Sequence, residues 1–98
     1  MAKVIELKKL GKDNELIDYA ALIRMITQLP TDPRQGLTVE DIRKAVRILD
    51  ALDKAKGKLE LEDADYEVLK TKVENYKFGF AHKNLLTFID DILSAEKN

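Results

Sequence analysis

The chain reads as a mostly helical α+β domain, with about four helices and two or three short strands in a small sheet. Three observations predict this. Four stretches carry apolar residues at helical spacing, two or three short stretches alternate apolar and polar residues, and the composition is that of an ordinary globular protein. With 98 residues, 45% hydrophobic and 36% charged, the chain has enough apolar material for one core and no length for a second. A single domain over 1–98 is expected, with 94–98 fraying as a tail.

Taken in order, the opening "KVIELKKLG" predicts a strand: Val4, Ile5 and Leu7 are β-compatible, and Gly11, Asp13 and Asn14 supply a turn. The first helix is predicted from Asn14 to Leu29, where Pro30 stops it. It is apolar nearly all round, so it is either the central core helix or a helix that presents one face to another chain. On the second reading Leu22, Ile23, Met25 and Ile26 are its contact residues.

After a loop marked by Pro33 and Gly36, Thr38 is the expected N-cap of a second helix, with Glu40 and Asp41 in its first turn and Leu37 and Ile42 spaced as a hydrophobic staple. Ile42, Ala45, Val46, Leu49 and Leu52 are its expected apolar face, and the helix ends near Gly57. In "KLELED", Leu59 and Leu61 alternate with Glu60 and Glu62 as in a half-buried strand, expected to pair with the N-terminal strand or with "YKFGF". Asp63 is the expected cap of a third helix with Tyr66, Leu69, Val73 and Tyr76 at core spacing. "YKFGF" alternates as a third strand would. The last helix, through "HKNLLTFIDDIL", is expected to bury Leu85, Leu86, Ile89, Ile92 and Leu93.

Chemistry is sparse along this frame. A calcium loop at "LDKAKGKLELEDADYEVL" fails at its ligand positions: with Gly57 as the central glycine, Lys54 and Lys56 stand where oxygens are required. His82 is the only histidine and Ser94 the only serine, there is no cysteine, and the four glycines fall in no phosphate-binding pattern. No enzymatic activity, metal or cofactor is expected. A net charge of −1 provides no general attraction for nucleic acid or an anionic membrane, and no apolar run is long enough for a membrane helix. These features point to a cytoplasmic, non-enzymatic protein-interaction module, working through self-association or a protein partner. The acidic stretch with Glu60, Glu62 and Asp65 is a second expected contact region. The alternative is a small DNA-binding regulator using Arg43, Lys44 and Arg47, although Glu40 and Asp41 stand in the turn that would meet the bases.

The runs "GLTVEDIRKAVRILDAL", "LELEDADYEVLKTKVE" and "LLTFIDDIL" together resemble small uncharacterised proteins of tailed-phage and prophage gene clusters. The resemblance covers most of the chain and brings no functional motif, so it assigns no site residue. It implies an accessory or assembly role in which the activity is protein contact.

Overall fold

The computed structural model describes residues 2–12, 16–30, 32, 34–79 and 81–97, the last two as backbone only. Its elements are β1 (Ala2–Glu6), β2 (Lys9–Leu10), β3 (Ile17–Asp18), α1 (Tyr19–Gln28), α2 (Val39–Lys54), β4 (Lys58–Glu62), α3 (Asp63–Asn75), α4 (Lys83–Leu93) and β5 (Glu96–Lys97). The fold is the expected α+β class, with four helices, a three-stranded antiparallel sheet in the order β4-β1-β5 and a small β2-β3 ladder.

Of the two pairings open to "KLELE", the one with the N-terminal strand is formed, in the register Ala2↔Glu62 through Glu6↔Lys58. Because side chains alternate across a strand, Ile5, Leu59 and Leu61 enter the core, while Lys58, Glu60 and Glu62 face solvent. Lys3 shares the inner side but lays its ammonium 5.5 Å from the centre of the Tyr66 ring.

Several local expectations are corrected. The first helix starts at Tyr19, because Asp18 caps it by accepting from the N–H groups of Ala20 and Ala21 at 3.1 and 3.4 Å, and Ile17 and Asp18 are held extended against β2. Its end is as expected: Leu29 precedes Pro30 and adopts an extended conformation. Asp63 is the first residue of α3, and Glu62 occupies the N-cap position. Tyr76, Lys77 and Phe78 form no strand; the Tyr76 and Phe78 rings, two residues apart on one side of an irregular segment, pack edge to face at 4.7 Å. Phe80, like Asp13 and Asn14 of the expected first turn, lies outside the described residues. The expected frayed tail is replaced at Glu96 and Lys97 by backbone pairing with Val4 and Lys3, which covers the edge of β1 that β4 leaves open.

Thr38 caps α2 as expected, in a reciprocal capping box: its Oγ1 accepts from Asp41 N at 3.1 Å, and Asp41 Oδ2 accepts from Thr38 N at 3.1 Å. The bond from Thr38 N to the carboxylate, and after it the Thr38 hydroxyl beside the carboxylate, hold the Asp41 carboxyl below the usual carboxylate range. The buried face of α2 is Ala45, Ile48 and Leu52, however, and Ile42 and Val46 are exposed. In α4, Phe88 is buried where Leu86 was expected, and Leu86 faces solvent. His82 caps that helix, Nδ1 accepting from Asn84 N at 3.0 Å.

Polar ties connect the helices across the core. Tyr19 stacks edge to face on Phe88 at 5.0 Å and donates its hydroxyl to Asp91 Oδ2 at 2.5 Å. Tyr66 donates to the carbonyl of Ile92 at 2.7 Å. Lys72, buried in α3, donates from Nζ to the carbonyl of Leu29 at 2.6 Å and so holds the C-terminal end of α1, where the helix dipole is negative. The buried Thr27 hydroxyl has no hydrogen-bond partner among the described residues.

Two predictions follow from these buried groups. Replacing Thr27 by Val keeps the shape and removes an unpaired hydroxyl, so urea unfolding should show Thr27→Val more stable than wild type by about 1 kcal/mol. Burial pushes the Lys72 ammonium below the ordinary lysine value, so between the lowered and the ordinary value the unfolded chain binds more protons than the folded one, and stability contributed by this group rises with pH. Lys72→Met should stay within about 1 kcal/mol of wild type at neutral pH, since it removes a desolvated charge along with its bond. It should also lose the alkaline rise. Comparing the two proteins across the alkaline range isolates Lys72 from Tyr19 and Tyr66, whose raised values act in the opposite direction.

Candidate protein-interaction face

Apolar side chains left outside the core are concentrated in one part of the chain. Seven large ones are exposed among the described residues, and six of them, Leu16, Met25, Leu29, Val39, Ile42 and Val46, belong to α1, α2 or the residues next to them. On α2 the spacing explains the pattern. Val39, Ile42, Val46 and the half-buried Leu49 recur at steps of three and four, a second apolar stripe beside the buried Ala45, Ile48 and Leu52. Val39 is 67% exposed, Ile42 47% and Val46 46%, so the second stripe stabilises the fold little and remains available.

One further turn along this stripe comes Asp53, which accepts from Arg24 Nη2 of α1 at 2.5 Å. The ion pair sets α1 beside the stripe. Beyond Arg24, Met25 is 39% exposed, with Sδ 4.0 Å from the Tyr76 hydroxyl. Leu29 and Tyr76 line an open cleft of about 720 Å³ with Pro30 and Asn75, and Asp32 and Arg34, themselves ion-paired, are at its rim. The outer side of α1 and α2 thus combines apolar side chains with polar groups already paired within the chain.

The first-helix contact set divides on inspection. Met25 is exposed, Leu22 is half-buried against the core, and Ile23 and Ile26 are 0% and 1% exposed. The last two are core residues and cannot meet a partner while the domain is folded, which corrects that part of the expectation. The physical reason is the late start of the helix: with Tyr19 buried at its first position, Ile23 and Ile26 follow on the same side. The α2 residues Val39 and Ile42 were legible as apolar but not as exposed, since two stripes compete for the inner side of one helix.

The acidic and basic sets meet each other. Glu60 and Glu62 project from the outer face of β4, but Asp65 accepts from Arg47 Nε at 3.0 Å, so one expected acidic contact neutralises one expected nucleic-acid contact. Lys44 is half-buried and lines a cavity with Asp32, Asp41 and Glu67. Arg43 is exposed, and Glu40 lies three and four residues before Arg43 and Lys44 on the same side. Arg43, Lys44 and Arg47 do not form an unbroken cationic surface.

One other group could carry chemistry. Tyr19, Asp91 and Lys8 share one point, Lys8 Nζ lying 3.3 Å from the oxygen that accepts the Tyr19 hydroxyl. Burial first, and then the bond to Asp91, push the Tyr19 hydroxyl well above the ordinary tyrosine value, so it stays protonated as a donor and not a base. No group of three or more His, Asp or Glu side chains is placed to hold a metal ion, and no helix is long and apolar enough to cross a membrane, among the described residues. No family model, curated protein or solved structure matches the chain.

Proposed function

We propose that the protein is a non-enzymatic protein-interaction module whose principal contact surface is the outer side of α1 and α2. The observation that carries this reading is the second apolar stripe of α2, Val39, Ile42 and Val46, with Met25 and Leu29 also exposed on α1 and at its end. Three β-branched side chains at helical spacing on a solvent face lose free energy to water and regain it only when covered. Arg47 held by Asp65 weighs against the DNA-binding alternative. A cytoplasmic accessory or assembly role, as in the phage and prophage proteins that the sequence resembles, is the proposed biological setting.

The test is site-specific photocrosslinking in the living cell, with the photoreactive residue placed at Val46 and, as a control, at the exposed Glu67 of α3. Adducts are expected from position 46 that position 67 does not give, and Val39→Ser combined with Ile42→Ser should reduce them severalfold. The double variant should unfold within about 1 kcal/mol of wild type, as exposed substitutions do. Equal adducts from both positions would overturn the proposal.

A further inference from the structure

β4 is the outer strand of its sheet, and one of its edges has no strand beside it among the described residues. The direction of its backbone groups can be read from one bond. Leu7 N donates to Gly57 O at 2.9 Å, one step beyond the Glu6↔Lys58 pair, so Leu7 and Gly57 form a hydrogen-bonded pair of the antiparallel ladder. Alternate pairs then exchange bonds in the same way: Ile5 with Leu59, and Lys3 with Leu61. The N–H and C=O groups of Lys58 and Glu60, and the N–H of Glu62, therefore point away from β1 toward the open edge.

Charged residues on an edge ordinarily deter pairing, and lysine is a common choice for that purpose. Here the order of the charges has a second property. In "KGKLELE", residues 56–62, the signs invert about Leu59: Lys56 and Lys58 precede it, Glu60 and Glu62 follow it. A second β4 laid antiparallel along the first, with the two-fold axis at Leu59, places Lys58 opposite Glu60 of the second copy and Glu60 opposite Lys58 of the second copy. Every charged pair is of opposite sign. This register also sets Lys58 and Glu60, the residues whose backbone groups point outward, directly across from each other. A parallel addition in register would instead oppose lysine with lysine and glutamate with glutamate.

We infer that the open edge of β4 is a homodimer interface, in which two copies pair antiparallel through Lys58, Leu59 and Glu60 to form one continuous sheet. The edge borders an open groove of about 760 Å³, lined across from it by Ala51 and Ala55 together with the longer Arg47, Asp50 and Lys54 side chains. Gly57, at φ 81°, turns the chain into β4 in a conformation that L side chains rarely adopt, so the edge begins abruptly at Lys58. Leu59 is already buried within its own copy, so the interface gains little apolar area and depends on backbone bonds and ion pairs. It is separate from the α1–α2 face and uses none of the residues assigned there.

The experiment is sedimentation velocity on the full chain, from about 10 μM to about 1 mM. Four samples are compared with wild type: Lys58→Glu, Glu60→Lys, their equimolar mixture, and the double variant carrying both changes. Both substituted side chains are exposed, and circular dichroism confirms that each protein folds. Wild type should dimerise within this range. Each single reversal opposes like charges at both symmetric positions and should weaken dimerisation by about tenfold. The mixture and the double variant, which both restore opposite signs across the axis, should return to within about threefold of wild type. A wild type that stays monomeric throughout overturns the inference. So does a dimer indifferent to the reversals, or single variants that the mixture fails to rescue.

Discussion

The pairing of β1 with β4 is the contact on which the remainder of the fold depends. It joins Ala2 to Glu62 and Glu6 to Lys58, closing a loop that contains β2, β3, α1 and α2. The closure entropy of so long a loop rises slowly with length, but it must be offset before any contact inside the loop contributes. Ile5, Leu59 and Leu61 offset it, because the alternation of the two strands aims all three at one side, where Ile48, Leu69 and Phe88 are also buried. β4 then passes into α3 with no intervening loop, so the direction of the sheet sets that of the helix. Tyr66 lies one turn into α3 beneath Lys3 and ties the helix to the Ile92 carbonyl of α4. An error of one residue in the β1–β4 register would turn Ile5 outward and Glu6 inward, and the ladder is specified strongly for that reason.

The helices are fastened to this sheet by buried polar groups as well as by apolar packing, and the two kinds of contact serve different ends. Tyr19 and Tyr66 bury large rings and discharge their hydroxyls onto Asp91 and the Ile92 carbonyl, so each combines apolar burial with a satisfied bond. Lys72 is different. Its lowered affinity for the proton says that the folded state disfavours its charge, yet its bond to the Leu29 carbonyl reaches the negative end of α1. An apolar side chain could fill that space at similar stability, but it could not select the position of the α1 terminus. The orientation of α1 against α3, and so the cleft beside Tyr76, rests on a contact that contributes placement more than free energy.

How much of this was legible in the sequence depended on whether a local signal had a competitor. The N-cap at Thr38 and the alternation of Lys58–Glu62 had none, and both were read at the right residues, although the reciprocal bond from Thr38 N to Asp41 was not. Asp18 was passed over as a cap because the apolar run continues through it from Leu16, and only the β2–β3 pairing shows why the helix waits for Tyr19. In α2, Ala45, Ile48 and Leu52 compete with Val39, Ile42, Val46 and Leu49 for the same inner position; hydrophobic periodicity describes both stripes and cannot say which meets the core. Phe88 and Leu86 present the same ambiguity in α4. "YKFGF" had the right alternation for a strand, but β1 offers only two edges, and β4 and β5 occupy them.

That last point also bears on the surface of the molecule. A central strand with both edges filled moves the edge problem outward, to β5, which is two residues long, and to β4, which is five. Short edge strands are protected by their length, whereas β4 has only its charges for protection. If protection were the whole requirement, any arrangement of lysine and glutamate would serve, including a mixed order that opposes like signs in every register. The order found, with Lys58 and Glu60 on either side of Leu59, repels a parallel neighbour and, in the proposed register, accepts an antiparallel copy of itself. The same charges that exclude most partners leave one register open, and specificity of that kind is a difference between partners, set as much by the contacts a surface forbids as by those it makes.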